Sequence, residues 1–327
     1  MVRYARSGGE ALSLAVRLAR AHTDRDVVAF CGYHGWSDWY LAANLAENKA
    51  LDGHLLPGLE PAGVPRGLRG SSYPFRYNHA EELQAIADRC KGQLAAIVME
   101  PIRSEDPLPG FVEQVRAIAD ATGAVLIMDE VSAGFRYCTG GAHLVKHSVT
   151  PDMAVFSKAL GNGYAISAII GREDVMQAAQ KSFVSSTNWT DRVGPTAALA
   201  TLRKYRREEP FHKFTAFGSR IKREWVRLGE KHGFVTHAEG MEAMAHFSFD
   251  HPDFLSFKAY FVQLMLERGI LASNLCYLMN AHTEADIDRY LDACDQCFAL
   301  LAEARDAGDI EQRLKGAPAC SGFKRLA

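Results

Sequence analysis

Lys158 sits in Phe156-Ser157-Lys158-Ala159-Leu160-Gly161-Asn162-Gly163, directly after the apolar run Met153-Ala154-Val155-Phe156. The run Ala124-Val125-Leu126-Ile127-Met128 ends in Asp129-Glu130, and Leu94-Ala95-Ala96-Ile97-Val98-Met99 ends in Glu100-Pro101. Each run is short, continuous and apolar, the pattern of a strand buried on both faces. Three strands thus deliver an ionisable side chain at their C-terminal ends, where open α/β sheets bind ligands. A lysine amine can react with a carbonyl, and a carboxylate can keep a ring nitrogen protonated. That pair is what a pyridoxal phosphate site requires. A lone Ser-Lys would carry little, because most lysines are solvated. The ordered set Glu-Pro, Asp-Glu-Val, Ser-Lys is far more specific.

The elements that position these residues follow a cycle. Position 129 lies 29 beyond 100, and 158 lies 29 beyond 129, about one strand-helix-strand unit. Helical patterns at 11–21, 80–90 and 112–122 alternate with strands at 26–31, 94–99 and 124–128. This predicts a mainly parallel sheet flanked by helices. The opening Arg3-Tyr4-Ala5 reads as a strand, 36–46 as helical, and 165–171 as a further strand. The Gly- and Pro-rich stretch 49–77 has the length of a functional connection. Two domains are expected, a large one over 1–208 and a smaller C-terminal α+β domain over 209–327. The second begins with the helix Phe211–Lys231 and has strands near 234–237, 244–249 and 270–272. It also carries a helix over 254–267 and a last helix from Glu284, with Thr283 and acidic residues at its start.

The 327 residues allow a large core. A net charge of −2, with 48% hydrophobic and 23% charged residues, gives no basic surplus for nucleic acid or an anionic membrane. The first residues lack an apolar core of signal-peptide length, and no stretch approaches the ~18 apolar residues of a span. The 7 cysteines are scattered, as reduced thiols in a cytoplasm would be. Cys294 and Cys297 fall inside a helical pattern, so they read as neighbouring thiols. No metal site is expected.

Taken together, Ser7-Gly8-Gly9, Tyr33-His34-Gly35, Glu100-Pro101, Asp129-Glu130-Val131 and Ser157-Lys158 resemble the class III aminotransferases, pyridoxal-phosphate enzymes of fold type I. The segments Asp129-Glu130-Val131-Ser132-Ala133-Gly134-Phe135-Arg136 and Ala281-His282-Thr283-Glu284-Ala285-Asp286-Ile287-Asp288 look similar to the glutamate-1-semialdehyde aminomutase branch. The resemblance implies a cofactor attached to Lys158, with Asp129 at its pyridine nitrogen, and these two as the catalytic residues. It puts Tyr33 and Val131 on opposite ring faces, His34 beside the ring and Glu100 in the same network. It implies phosphate at Ser7, Gly8 and Gly9, with Thr190 reaching across a homodimer interface; Thr187 is the alternative. The implied reaction moves an amino group from an amino donor to an aldehyde or keto acceptor. Intramolecular transfer by an aminomutase and a catalytically silent cofactor-binding protein are the rivals.

Three departures stand out. Gly9 replaces a Thr or Ala, and Ala165 stands where proline is common. Relatives also carry an N-terminal segment ahead of the point matching Met1, which supplies helices, a small sheet and part of the substrate pocket. Arg136 is the nearest candidate for a substrate carboxylate, and 273–277 is expected to face a pocket.

Overall fold

The computed structural model describes residues 1–46, 49–54, 57–102, 105–186, 191–320 and 322. They form two compact units, Met1–Glu209 and Pro210–Ala327. The first is built on seven strands: β1 (Val2–Ala5), β2 (Val27–Cys31), β3 (Ser72–Pro74), β4 (Leu94–Met99), β5 (Val125–Asp129), β6 (Met153–Phe156) and β7 (Ser167–Gly171). Their order is β1-β7-β6-β5-β4-β2-β3. The block β3-β2-β4-β5-β6 is parallel, β7 runs antiparallel to β6, and β1 antiparallel to β7. Two reversals give β1 the direction of β6. The C-terminal ends of β1, β2, β4, β5 and β6 therefore share one edge of the sheet.

Every residue of β4, β5 and β6 is buried, as continuous apolar strands covered on both faces must be. Alternate residues serve separate cores. Ile97, Met99, Leu126 and Met128 join Leu83 and Ile86 of α4 (Ala80–Cys90) and Val112 and Val115 of α5 (Phe111–Thr122). Ala96, Val98, Val125 and Ile127 join Ala11, Leu12, Ala15 and Val16 of the helix α1 (Gly8–Thr23) on the other face. Ser7 caps α1, its hydroxyl accepting from the Glu10 N–H at 3.3 Å.

The expected helix over 36–46 is two short turns, α2 (Asp38–Leu41) and α3 (Ala43–Ala46). The stretch 49–77 contains β3, three residues on the outer edge, where Pro74 costs no ladder hydrogen bond. Two more short helices, α6 (His143–Lys146) and α7 (Glu173–Met176), and the long α8 (Val193–Glu208) complete the unit.

The second unit contains α9 (Phe211–Lys231), β8 (Thr236–Glu239), β9 (Met244–Phe249), α10 (Phe254–Glu267), β10 (Leu275–Tyr277) and α11 (Glu284–Ala307). The strands form an antiparallel sheet in the order β10-β9-β8. An aromatic core of Trp225, Phe247, Phe249, Phe261 and Phe298 fills the unit. Thr283 and Asp286 form a capping box that starts α11. The strand expected at 270–272 lies instead at β10. The Ile270 N–H is used to close the end of α10 on the Met265 carbonyl, Gly269 turns through a φ of 69°, and Leu271 is 92% exposed. No described helix is long and apolar enough to cross a membrane.

Candidate active site

Five chain segments meet at the shared strand edge. Asp129 ends β5 and is 3% exposed. Its Oδ1 accepts from the Val131 N–H at 3.0 Å, and its Oδ2 lies 2.7 Å from His34 Nδ1. His34 Nε2 is 3.1 Å from the Cys31 carbonyl. Each ring nitrogen thus faces an oxygen, the Asp129 carboxylate on one side and the Cys31 carbonyl on the other. His34 has no exposed surface and stacks at 22° on Trp39, centroids 6.2 Å apart. Its place is behind the carboxylate, at the bottom of the site.

Lys158 follows β6 with a φ of 45°, left-handed backbone that costs a non-glycine residue roughly 1–2 kcal/mol. Its side chain is exposed, and Nζ donates to Ser132 Oγ at 2.7 Å. Tyr33 is 39% exposed, its N–H reaching Glu100 Oε2 at 3.4 Å.

Glycines allow the segments to close up. A Cβ on Gly8 would lie 2.8 Å from Val131 Cγ1, and one on Gly35 would lie 3.0 Å from the Gly9 Cα. The start of α1 is therefore packed directly against the loop that follows Asp129 and the loop that follows β2. A helix start with free N–H groups and no bulky side chains is suited to an anion.

The loop after Asp129 is held by Glu130, which is 1% exposed. Its Oε2 accepts from the Ala142 N–H at 2.9 Å; its Oε1 accepts from the His143 N–H at 3.0 Å and lies 2.7 Å from His143 Nδ1. Burial, and next the Glu130 charge, push the nearby Cys138 thiol above its ordinary range. Arg136 Nε reaches the Ser132 carbonyl at 3.4 Å.

The class-III aminotransferase family model matches residues 1–298. The chain belongs to that family. It is 30% identical over 311 residues to a 3-aminobutyryl-CoA aminotransferase of Cloacimonas acidaminovorans, covering 91% of this chain and 71% of the relative. A glutamate-1-semialdehyde 2,1-aminomutase of Geotalea daltonii is 32% identical over 326 residues, covering 92% and 74%. Among solved structures, the FumI protein of Sphingopyxis sp. MTA144, in its pyridoxal-phosphate-linked form, superposes with a TM-score of 0.81 at 28% identity, covering 94% of this chain and 72% of that one. An omega-transaminase of Sphaerobacter thermophilus has the same fold, with a TM-score of 0.80 at 23% identity. The chain is a fold-type-I, pyridoxal-phosphate-dependent aminotransferase.

In this aminotransferase, Ser7, Gly8, Gly9, Tyr33, His34, Glu100, Asp129, Val131 and Lys158 all lie on segments at one sheet edge. Thr187 and Thr190 lie outside the described residues. Ser132 and Trp39 were not singled out from the sequence. Trp39 lies in the short α2, where a buried aromatic reads as core, and the Ser132 contact depends on strand register. In the second unit, residues 273, 275, 276 and 277 line a cavity of about 740 Å³ together with Leu271 and Tyr290. Among the described residues no cluster of His, Cys, Asp and Glu could hold a metal ion.

Proposed function

We propose that this aminotransferase moves an amino group from an amino donor to an aldehyde or keto acceptor, with Lys158 and Asp129 as its catalytic residues. The reading is carried by one observation: a buried carboxylate and an exposed lysine leave neighbouring parallel strands at the edge where the close-packed start of α1 also lies. These residues fit pyridoxal phosphate. When bound, that cofactor supplies an aldehyde for the amine and a ring that accepts the electrons of the substrate's Cα–H bond.

The residues then divide the work. The amide N–H groups of Ser7, Gly8 and Gly9 receive the phosphate. Tyr33 and Val131 bracket the ring, and Glu100 fixes the backbone of Tyr33. Asp129 keeps a proton on the ring nitrogen, while His34 acts through Asp129 by fixing its orientation. Lys158 Nζ would hold the cofactor through its aldehyde and, when free, would take the proton from the substrate Cα. The first unit would bind the cofactor. We further propose a cytoplasmic homodimer in which Thr190 of each subunit completes the phosphate site of the other.

Borohydride reduction of the cofactor-loaded protein, followed by peptide mass mapping, tests the reading. A label at Lys158, absent in Lys158→Ala, is expected; a label on another lysine overturns it. The aminomutase reading is favoured by Gly134-Phe135-Arg136 and by the Geotalea relative. It requires turnover of a single amino aldehyde with no separate acceptor, which a donor and acceptor screen separates from transamination. A silent binding protein would take up cofactor yet show no donor-dependent bleaching.

A further inference from the structure

We propose that Ser132 is a positioning residue that holds the Lys158 amine whenever that amine is free. The proposal rests on Lys158 being the cofactor lysine, and it adds a residue to that site. Asp129 and Val155 are Cα partners in the parallel ladder between β5 and β6. Three residues further along each chain stand Ser132 and Lys158. Matched register followed by equal offsets brings the two side chains together, with Nζ to Oγ at 2.7 Å. Among the described residues, that hydroxyl is the amine's hydrogen-bond partner.

Both ends of the contact are fixed by backbone. Lys158 has a left-handed φ of 45°, so its side chain leaves the chain in a direction that ordinary extended or helical backbone would not give. On the other side, Arg136 holds the loop through the Ser132 and Ala133 carbonyls, at 3.4 and 3.1 Å. Ser132 itself is half-buried, so water competes only in part. The hydroxyl suits an amine that changes protonation: it accepts from an ammonium and donates to the lone pair of a neutral amine. It makes and breaks no covalent bond. Its effect is to return the released amine to one place, three residues beyond the Asp129 register, instead of letting a four-carbon side chain sample solvent.

The test compares wild type with Ser132→Ala, Ser132→Thr and Ser132→Val. In cofactor-free protein, the lysines are acylated by limiting acetic anhydride and each site is quantified by peptide mass mapping. A held amine, whether its lone pair is occupied or its ammonium stabilised, is the poorer nucleophile. Lys158 should therefore label about three- to tenfold faster in Ser132→Ala and Ser132→Val, the range one neutral hydrogen bond allows. Ser132→Thr should label Lys158 at the wild-type rate, and the other lysines should not change in any variant. Thr and Val share a shape, so their comparison isolates the hydroxyl even if Ala disturbs the loop. In the loaded enzyme, the Val variant should lower kcat with KM unchanged. Equal Lys158 labelling in Thr and Val variants overturns the proposal. Borohydride labelling at Lys158 in all four proteins keeps the cofactor-lysine reading intact in that event; labelling elsewhere removes both.

Discussion

Replacing Asp129 by Asn separates the charge of this carboxylate from its hydrogen bonding. The Asn carbonyl oxygen can still accept from the Val131 N–H, 3.0 Å away. The Asn amide can donate to His34 Nδ1 across 2.7 Å, provided the imidazole keeps one proton, on Nε2. That tautomer still donates to the Cys31 carbonyl. No buried polar atom loses its partner. Two charge-assisted hydrogen bonds, worth about 1.5–3 kcal/mol each, become neutral ones of about 0.5–1.5 kcal/mol each. The expected stability loss is therefore about 2 kcal/mol, read by urea unfolding. Catalysis should suffer far more, because a neutral amide cannot hold a proton on the ring nitrogen. Losing such a preorganised electrostatic contact costs about 10²–10³-fold in rate, measured by stopped-flow absorbance of the donor half-reaction. Asp129→Ala is the contrast: it removes the acceptor of the part-buried Val131 N–H and the partner of the buried His34 Nδ1, at about 1–3 kcal/mol each. A half-reaction rate in Asp129→Asn within about threefold of wild type would refute the ring-nitrogen assignment. A stability loss as large as that of Asp129→Ala would refute the tautomer argument.

Glu130→Ala leaves three N–H groups around residues 142 and 143 without their acceptor and should destabilise the first unit by about 3 kcal/mol or more; urea unfolding followed by first-unit fluorescence checks it. Cys276 and Cys297 are pushed by burial from the ordinary 9.0 up to about 11. Above pH 9 the unfolded chain releases thiol protons that the folded chain keeps, so stability is complete below pH 9 and falls as pH rises toward 11. Unfolding of wild type and Cys276→Ser at a series of alkaline pH values should show a shallower decline in the variant. Thr190→Ala should weaken cofactor binding while borohydride still labels Lys158, and sedimentation should give a dimer; a cofactor-saturated monomer at every concentration would exclude a shared site.

The central strands were legible in the sequence because β4, β5 and β6 are apolar without interruption, and the residues that close them stand at the sheet edge. β3 was hidden because Ser72-Tyr73-Pro74 is short, polar at one end and closed by a proline that only an edge position admits. The misplaced strand at 270–272 has a similar cause: Ile270 and Leu271 are apolar, but the first ends a helix and the second faces solvent. Within the candidate site, the placement of Asp129 and Lys158 at the ends of neighbouring strands could be read from residue type and position. His34 could be found but not located, since its lodging beneath Asp129 is a matter of packing. Glu130 could not be recognised as an anchor, because the amides it holds lie 12 and 13 residues away. Nor could Ser132, whose meeting with Lys158 depends on register between two strands.

Glu130 also makes the chain between Phe135 and Gly140 a replaceable cartridge. The Phe135 N–H bonds the Gly140 carbonyl, and Glu130 pins Ala142 and His143 just beyond. Both ends of the segment are thus tied to the scaffold by backbone groups and by Glu130, with Cys138 Sγ adding a contact to the Gly141 carbonyl at 3.3 Å. Doubling the length of such a closed loop costs only about 0.6 kcal/mol in chain entropy. Several added residues between 137 and 139 could therefore be carried without disturbing the strand that ends in Asp129, provided Arg136 stays to hold the Ser132 and Ala133 carbonyls. Selection, or an engineer, has a place for variation here that leaves β5 and the Glu130 anchor as they are.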